Sequence, residues 1–430
     1  KDGKMLNTAI IGISGWGRIH YEDLLRRRER GDIRICAATV INQAEEAEKC
    51  AFLQSIGCRI FDSHQAMLSE FGGKLDLCFI PTGIDLHAPM AIEAMRAGAN
   101  AFIEKPAAAV IEDIAAMQAV ERETGKHVWV GFQIACQPEV RRMRALCHSP
   151  EFGAIRRIRG IGLAPRTDSY YRRNLWAGKL RKKGAWILDS PYNNALAHYL
   201  HLALLFAAAP GEIPEFRSVK AQLFRVNPNL ECADNGCILA VSGQGIPVSF
   251  HASHTPEKLN DLRIVIDGEH GSVEWTFPGT TYRIGEECVT LTNTGGTELR
   301  DLMLDALFAR CTGRMQGDCC DLECAAVHTR VVNAAHDSSP VMEVPAGYVE
   351  EYRDEELRWG LKGFDGECSA AWREGRLLSR RVYPWLPEPA EVFLEGYRRF
   401  GGSLLRQAPV TGSLSAGREG NAGRIAAPCA

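Results

Sequence analysis

The first third of the chain alternates short apolar runs with stretches of mixed polarity. The apolar runs predict buried strands, and the stretches between them predict helices. The predicted strands are residues 8–13, 33–41, 59–61, 75–80, 99–103 and 126–132. The predicted helices are residues 18–30, 44–56, 63–71, 88–97 and 107–123. Such regular alternation indicates an α/β fold with a doubly wound parallel sheet.

The pattern changes after residue 135. A turn and strand are predicted at residues 152–158, and alternating apolar and polar positions predict further strands at 218–224, 236–242 and 246–251. Asp267-Gly-Glu-His-Gly271 predicts a hairpin turn, and residues 301–335 predict one long helix. The second part of the chain is therefore expected to contain a sheet of a different kind.

The first predicted strand leads into a glycine-rich turn, Gly12-Ile-Ser-Gly-Trp-Gly17, which is followed by a helix. This setting predicts dinucleotide binding, because glycines let the backbone approach a pyrophosphate and a helix N-terminus supplies amide donors. Ser14 stands where the second glycine of the usual motif would be. After the second strand, Asn42 stands where an acidic residue usually binds the ribose hydroxyls. NAD and NADP both stay open, with NAD slightly favoured.

Lys105 lies at the end of another predicted strand, in Glu104-Lys105-Pro106. Ligands of open α/β sheets bind at the carboxyl ends of the strands. A lysine at that edge can place a positive charge and a proton donor beside a reacting oxygen. The alternative is an ordinary lysine in a surface loop.

Composition limits the class of protein. The chain has 430 residues, a net charge of −3 and 46% hydrophobic residues, which is typical of a globular protein and gives no reason to expect a nucleic-acid or membrane partner. No apolar run reaches the roughly 18 residues of a membrane span. The 15 cysteines have no repeating spacing and favour reduced, buried thiols in a cytoplasmic protein. An exported protein from which the signal had been removed would have the same sequence, so export stays open as the alternative.

Several motifs follow one another in a characteristic order: the glycine turn, Pro81-Thr82 with His87, then Glu104-Lys105-Pro106, then Val130-Gly-Phe-Gln133. This order resembles the Gfo/Idh/MocA family of oxidoreductases, over roughly residues 8–344. The resemblance implies a Rossmann domain followed by an α/β domain with a large, open, mostly antiparallel sheet. It also implies NAD or NADP as the cofactor, a sugar or cyclitol hydroxyl as the substrate, and a homodimer or homotetramer.

The resemblance also implies site residues and domain boundaries. We place the Rossmann domain at residues 1–135, the second domain at 136–345, an extension that packs on the body at 346–402, and a flexible tail at 403–430. The implied cofactor-binding residues are Gly12, Ser14, Gly15, Trp16, Gly17, Asn42, Pro81, Thr82, His87, Glu104, Lys105 and Gln133.

The catalytic motif departs from the family pattern, in which an Asp is followed four residues later by a His. Asp189 is followed at that spacing by Asn193. A gapped alignment makes His198 the family histidine, and we prefer it because the apolar run after His201 then matches the family helix. The predicted catalytic residues are thus Lys105, His198 and Asp189. In the ungapped alignment the family histidine is missing.

Residues 167–183 are rich in Tyr, Arg, Asn and Trp, a composition that suits a sugar ring but also occurs where subunits meet. The predicted substrate-binding residues are Tyr171, Arg173, Asn174, Trp176, Asn193, Asn194 and His201. Cys320, Cys324 and His328 are spaced four apart on one predicted helix. Since metal sites usually draw ligands from two elements, core packing is expected and no metal is predicted.

Two other functions fit the same residues. The first is a glycoside hydrolase that oxidises its sugar transiently on this fold. The second is a non-catalytic, cofactor-bound sensor or structural protein, which the unusual region around Asp189 and His198 would favour. An NAD(P)-dependent sugar oxidoreductase is the leading hypothesis.

Overall fold

The computed structural model describes residues 5–258, 260–314, 320–353 and 355–404. A six-stranded parallel sheet has the strand order β3-β2-β1-β4-β5-β6. Its strands are β1 (Leu6–Ile11), β2 (Ile33–Thr39), β3 (Arg59–Phe61), β4 (Leu77–Ile80), β5 (Asn100–Ile103) and β6 (Val128–Val130). The connecting helices are α1 (Gly17–Glu29), α2 (Ala47–Ser55), α3 (His64–Phe71), α4 (Ile84–Arg96) and α5 (Ile111–Thr124). The predicted doubly wound sheet is confirmed.

The start of α5 differs from the prediction. The alanine-rich residues 107–110 were predicted to be helical, but the helix begins only at Ile111. Asn333 explains the difference: its Oδ1 accepts the N–H of Ile111 at 2.9 Å, and its Nδ2 donates to the carbonyl of Ala109 at 2.7 Å. A side chain distant in sequence thus satisfies backbone groups that the helix would otherwise have used.

A second, mixed sheet follows, with the strand order β16-β15-β14-β13-β7-β12-β11-β10-β17 and β20 beside β10. Only the β7–β12 and β10–β17 pairs are parallel, so the predicted mostly antiparallel sheet is confirmed. The turn between β13 and β14 is the predicted hairpin. The strands of the second sheet are β7 (Ile155–Leu163), β10 (Phe216–Arg225), β11 (Asn235–Ser242), β12 (Pro247–Ser253), β13 (Asp261–Gly268), β14 (Gly271–Thr276), β15 (Gly279–Ile284), β16 (Glu287–Thr292), β17 (Val341–Glu343) and β20 (Val392–Phe393). Two separate strand pairs are β8 (Arg181–Lys182) with β9 (Ala185–Trp186), and β18 (Val349–Arg353) with β19 (Leu357–Leu361). The helices are α6 (Pro138–Cys147), α7 (Asp168–Arg172), α8 (Ala197–Leu205), α9 (Gly296–Cys311), α10 (Leu322–Ser338) and α11 (Phe364–Glu374).

The single helix predicted at residues 301–335 is wrong, because the chain forms α9 and α10 instead. Gly313, at a φ of 69°, follows α9, and Asp321 caps α10 by accepting the N–H of Cys324 at 2.9 Å. Both helices pack on the first sheet, where Leu307 of α9 and Ala325 of α10 are fully buried. Two helices that follow β16 in the chain therefore complete the core of the first sheet.

The extension lies on the second sheet. Its strands β18 and β19 pair with each other, and α11 follows them. Leu361 and Phe364 are buried in one cluster with Ile161, Leu163 and Phe224 of the sheet. Residues 405–430, most of the predicted tail, lie outside the described residues. Among the residues that the structure describes, no helix is long and apolar enough to cross a membrane.

Candidate active site

The glycine turn lies between β1 and α1. Gly12 and Gly15 have φ values of 92° and 55°, which glycine adopts without strain. A Cβ on Gly17 would lie 2.6 Å from the carbonyl oxygen of Gly12, so only glycine lets α1 begin so close to the strand. Trp16 is half exposed beside this turn. The close approach of helix and strand is the arrangement that receives a pyrophosphate.

Polar side chains follow β2 at the edge next to this turn. The Nδ2 of Asn42 donates to the Oγ of Ser14 at 3.1 Å and to a carboxylate oxygen of Glu45 at 2.9 Å. Lys49 donates to the carbonyl of Ile13 at 3.3 Å and is paired with Glu46 at 2.5 Å. The sequence reasoning missed Glu45, Glu46 and Lys49. The sequence signal that could have identified them was their position three, four and seven residues after Asn42.

The end of β4 adjoins the glycine turn, because β1 and β4 are neighbours where the strand order reverses. A Cβ on Gly17 would lie 3.5 Å from the ring of Pro81. The Oγ1 of Thr82 is buried and has no hydrogen-bond partner among the described residues. An unpaired buried hydroxyl beside a glycine cradle fits a bound dinucleotide, which would supply the missing partner.

His87 has both ring nitrogens next to backbone carbonyls. Nδ1 is 2.9 Å from the oxygen of Pro106, and Nε2 is 3.1 Å from that of Thr82. Burial lowers the pKa of this imidazole. The side chain therefore links the ends of β4 and β5.

Glu104 forms a buried support beneath Lys105. One carboxylate oxygen is 2.7 Å from Nε2 of His20, and the other accepts the backbone N–H of Lys105 at 3.1 Å. Burial raises the pKa of Glu104, but the hydrogen bond and charge of His20 and the charge of Lys105 outweigh it and lower the pKa to about 2. Gln133 is buried where a short 3₁₀ turn begins, Gln133–Cys136.

Lys105 is joined to Asp189 through Asn194, an arrangement we call the Lys105–Asn194–Asp189 chain. The Nζ of Lys105 lies 2.9 Å from the carbonyl oxygen of Asn194 and 3.3 Å from its Oδ1. The Nδ2 of Asn194 donates to Asp189 at 2.8 Å, and Asp189 also accepts the N–H of Gly178 at 2.6 Å. Burial lowers the pKa of Lys105 and raises that of Asp189. The two predicted catalytic residues therefore share one bridging side chain.

Local backbone geometry explains why Asn194 forms this bridge. Pro191–Ala195 form one π-helical turn, a wider turn than that of an α-helix and one that is frequent at functional sites. Asn193 is fully buried, and its side chain donates to the carbonyl of Ile187 at 3.1 Å. Asn194, one position later, reaches Lys105. Neither alignment considered from the sequence gave Asn194 this position.

His198 lies in the first turn of α8. Its ring packs edge-on against Phe132, with 5.8 Å between the ring centroids. Nδ1 is buried without a hydrogen-bond partner among the described residues. Burial, followed by the charge of Lys105, lowers the pKa of His198. His198 is thus close enough for Lys105 to influence its charge, while the described contact of the ammonium is with Asn194.

The other histidines near Phe132 face elsewhere. His201 is stacked on Phe132 at 4.0 Å, and its Nε2 faces the thiols of Cys320 and Cys324. His328 points to the carbonyl of Tyr192 at 2.9 Å. The contacts of His201 are therefore with thiols and not with the Lys105–Asn194–Asp189 chain. Of the three residues grouped by their spacing, Cys320 and Cys324 stay together at His201, and His328 faces Tyr192 instead.

The segment of residues 167–186 contacts the carboxyl edge of the first sheet at Trp176 and Lys182. The indole nitrogen of Trp176 would be 3.6 Å from a Cβ on Gly83, and Lys182 is paired with Asp85 at 2.9 Å. Arg173 lies over the ring of Tyr170 at 3.7 Å. The Oδ1 of Asn174 accepts the backbone N–H groups of residues 176 and 177. The hydroxyl of Tyr171 is 2.7 Å from Nδ1 of His254. This segment, which we call the basic arm, therefore contacts the sheet edge beside the predicted cofactor-binding residues Pro81 and Thr82.

Comparisons with known proteins agree with this geometry. Residues 6–132 match the model of an oxidoreductase family with an NAD-binding Rossmann fold, GFO_IDH_MocA. A protein of Amycolatopsis mediterranei, provisionally named the oxidoreductase subunit of UDP-kanosamine synthase, is 25% identical over 312 residues, covering 68% of this chain and 81% of that protein. Inositol 2-dehydrogenase of Corynebacterium glutamicum (strain R) is 25% identical over 174 residues, covering 40% of this chain and 50% of that protein.

Solved structures share the fold. The WlbA dehydrogenase from Chromobacterium violaceum, in complex with NADH and UDP-GlcNAcA, has a TM-score of 0.61 at 21% identity, over 78% of this chain and 93% of that one. A 3-ketoreductase from Actinomadura kijaniata, in complex with NADP, has a TM-score of 0.63 at 16% identity, over 80% of this chain and all of that one (100%). The chain is an NAD(P)-dependent oxidoreductase with an N-terminal Rossmann domain. The sequence of this Rossmann domain, residues 6–132, is similar to that of the Gfo/Idh/MocA family.

Proposed function

We propose that this enzyme transfers a hydride between a nicotinamide dinucleotide and one carbon of a sugar or cyclitol, interconverting a secondary hydroxyl and a ketone. The observation that carries the proposal is the Lys105–Asn194–Asp189 chain at the carboxyl edge of the Rossmann sheet. A cation with a lowered pKa stands there beside the place where a dinucleotide fits. The relatives are named as dehydrogenases, reductases and oxidoreductases, and they favour this reaction over the hydrolase and sensor hypotheses.

Lys105 moves the proton in this mechanism. In oxidation, the neutral amine takes the proton of the substrate hydroxyl while the carbon loses a hydride to the dinucleotide, which is the hydride acceptor when bound. In reduction, the ammonium returns that proton to the carbonyl oxygen as the carbon gains the hydride. A lysine whose pKa lies below its ordinary value is suited to both directions. Oxidation breaks one C–H bond and one O–H bond of the substrate and forms its C=O bond. The substrate thereby loses a hydride, which carries two electrons, and one proton.

Asn194 and Asp189 act as positioning residues. Asn194 accepts from the ammonium of Lys105, and Asp189 fixes the orientation of the amide by accepting from its Nδ2. The hydrogen bond from the backbone of Gly178 in turn holds Asp189. Such an ordered series keeps the Nζ in place without reorganisation during the reaction. His198 has a buried, unpaired Nδ1 nearby, and we retain it as a second proton-handling group.

The basic arm indicates that the substrate carries a negative charge. Residues 167–186 contain six Lys and Arg residues and one acidic residue, Asp168. Arg172, Lys179 and Lys182 are paired with carboxylates, whereas Arg173 is exposed and stacks on Tyr170. A guanidinium held on an aromatic ring is suited to a phosphate or carboxylate. We therefore propose an anionic sugar, such as a uronate, a phosphorylated sugar or a nucleotide-linked sugar.

The acidic residues around Asn42 favour NAD over NADP. Glu45 and Glu46 stand beside the Asn42–Ser14 pair that would face the adenosine ribose, and Lys49 is paired with Glu46. Carboxylates at this position accept from ribose hydroxyls and repel a 2′-phosphate. We expect Glu45→Arg to shift the ratio of kcat/KM for NAD over NADP toward NADP, and Glu48→Arg, on the same exposed stretch, to shift it less.

The test is a panel of neutral sugars, cyclitols, uronates, sugar phosphates and nucleotide-linked sugars, each with both cofactors. NADH formation that depends on an anionic substrate is the expected result, and it should exceed that with the matched neutral sugar. Activity with neutral sugars alone would overturn the anionic assignment. Glycoside cleavage without net NADH would support the hydrolase hypothesis instead.

Dinucleotide binding is tested separately by thermal denaturation. A ligand that binds only the native state raises the Tm, so millimolar NAD(H) or NADP(H) is expected to do so. A protein that contains no co-purified nucleotide and shows no shift with either dinucleotide would contradict the assigned cofactor site. A homo-oligomer and a cytoplasmic location stay proposals, which light scattering and fractionation of cells would test.

A further inference from the structure

A second cluster of chemically reactive side chains lies beyond Phe132. It consists of His201 on α8, Cys320 just before α10, and Cys324 in the first turn of α10. The Nε2 of His201 is 3.6 Å from the Sγ of Cys324 and 3.8 Å from that of Cys320. The three ligand atoms all lie within 4.8 Å of one another. We call these residues the His201–Cys320–Cys324 cluster.

These distances match those of ligands around one metal ion. A tetrahedral zinc ion with bonds of about 2.3 Å to sulfur and about 2.0 Å to nitrogen would hold the two kinds of atom about 3.5 Å apart. Ordinary packing of an imidazole on thiols does not require all three donor atoms to converge. Here both sulfurs and the ring nitrogen converge although they come from two separate elements.

The surroundings hold the donors in place. The carbonyl of Cys320 accepts the N–H of Val130 at 2.8 Å, which fixes this residue to the end of β6. Asp321 accepts the N–H of Cys324, so the cap of α10 sets the second thiol. Stacking on Phe132 orients the ring of His201. The position of each donor is therefore determined by a contact other than its contacts within the cluster.

Burial and donor chemistry select the kind of ion. His201 and Cys320 are almost inaccessible, with 1% and 5% exposure, and Cys324 is partly exposed. Two thiolates and one neutral imidazole form a donor set that suits zinc and excludes hard ions such as magnesium and calcium. A water molecule would complete the coordination as the fourth ligand.

We propose that His201, Cys320 and Cys324 bind a zinc ion. Each thiol loses a proton to solvent on binding, and no oxidant or reductant is needed. The ion would fasten α8, which carries His198, to the junction of β6 and α10. Its role in this position is to stabilise the contact between the two domains beside the candidate active site.

The experiment measures zinc in the full-length protein purified in a phosphine reductant without chelator. About one zinc per chain is expected after gel filtration. Cys324→Ser and His201→Gln, one from each element, are both expected to reduce this to less than about a tenth. Cys36→Ser is the matched control, because Cys36 is another half-buried free thiol and lies on β2. It should keep the full zinc content.

Two further readouts identify the site. Removing zinc and adding cobalt should give the near-ultraviolet absorption of a cobalt thiolate in the wild type and Cys36→Ser, but not in Cys324→Ser. Adding zinc back should raise the Tm of the metal-free wild type and leave that of His201→Gln unchanged. Circular dichroism verifies that each variant is folded.

Three outcomes would overturn the proposal. The first is a fully reduced wild type that retains no zinc after exposure to an excess of the ion. The second is equal zinc retention by folded Cys324→Ser, His201→Gln and Cys36→Ser, which would place the ion elsewhere. The third is a Cys320–Cys324 disulfide in the protein isolated without reductant, together with failure of the reduced protein to bind zinc.

Discussion

Two features of the surroundings of Lys105 have opposite effects on its pKa. Its ammonium is half-buried, which favours the neutral amine, yet it has the carbonyl and side-chain oxygens of Asn194 as acceptors. Burial dominates and lowers its pKa. Oxidation needs the neutral amine, because the amine must take a proton, and reduction needs the ammonium. The direction of the pKa shift therefore favours oxidation near neutral pH more than an ordinary lysine would.

Lys105→Ala is expected to lower kcat by on the order of 10²-fold or more while leaving the Kd of the dinucleotide nearly unchanged. In the wild type, the rate of oxidation should rise with pH to a plateau, at a midpoint below the ordinary lysine pKa of 10.5. That limb should vanish in Lys105→Ala. Lys179→Ala, in the basic arm and paired with Glu231, is the control and should keep the wild-type profile. An unchanged profile in Lys105→Ala would assign the proton transfer to another group.

Asn194 was predicted from the sequence to bind substrate, and the structure shows that it bridges Lys105 and Asp189. Asn194→Ala should lower kcat by on the order of 10-fold and lower the midpoint of the pH profile, because the ammonium of Lys105 would lose an acceptor that stabilises its charged form. His198→Ala should lower kcat by on the order of 10²-fold if His198 has the role that the gapped alignment gives it. Asn193→Ala should act mainly on the Tm, since Asn193 bonds to the backbone of Ile187. A severe loss of kcat in folded Asn193→Ala together with a mild effect of His198→Ala would contradict these expected effects.

At the scale of elements, the glycine turn shows which features a sequence pattern can predict. Gly12, Gly15 and Gly17 identify a strand, a turn and a helix, because their backbone requirements are local. The π-helical turn at residues 191–195 was not predictable in this way. It is a separate turn before α8, and no residue preference distinguishes it from an α-helical turn. The alignments therefore differed over His198 and Asn193, while Asn194 makes the contact.

The boundary between α9 and α10 shows the same limit. The spacing of Cys320, Cys324 and His328 suggested one helical face, but Asp321 begins a new helix after Cys320. His201 contacts Cys320 and Cys324 across 119 and 123 residues of sequence. Spacing along one helix carries no information about such a partner. The fold class and the edge of the first sheet were predictable, and the partners of Lys105 and of the cysteines were not.

Gly17→Ala tests the turn. The added Cβ would lie 2.6 Å from the carbonyl oxygen of Gly12, and backbone atoms cannot move aside without separating α1 from β1. We expect a loss of about 1–3 kcal/mol in the free energy of unfolding and a weaker affinity for the dinucleotide. Gly366→Ala in α11 is the control, since nothing lies within 4 Å of its Cβ and helix propensity favours alanine. Chemical denaturation and titration with the dinucleotide measure both effects, and equal behaviour of the two variants would refute the packing argument.

At the scale of the whole molecule, the extension changes the argument for assembly. A homo-oligomer, which the family resemblance implies, would also cover an apolar face of the second sheet that would otherwise be exposed to water. Residues of the same chain cover that face around β7 and β10: Leu361 and Phe364 contact Ile161, Leu163 and Phe224. The oligomer stays a prediction, but covering these residues no longer requires a partner.

Deleting residues 346–430 should therefore expose this apolar cluster. We expect a Tm lower by several degrees and aggregation detected by light scattering, because buried Ile, Leu and Phe side chains would face water. Deleting only residues 405–430 is the control and should leave both measurements unchanged. A shorter chain that is monodisperse and equally stable without residues 346–430 would show that the extension does not protect the sheet.

The return of α9 and α10 to the first sheet has a consequence for the order of folding. Met303, Leu304 and Leu307 share a buried cluster with Ile10 of β1, and Leu322 and Ala325 share another with Ile103 of β5. During synthesis from the N-terminus, the ribosome has to add almost the whole second sheet before these helices emerge. The nucleotide-binding domain is thus the first to leave the ribosome and among the last to be completed, with contacts of high contact order that slow its folding.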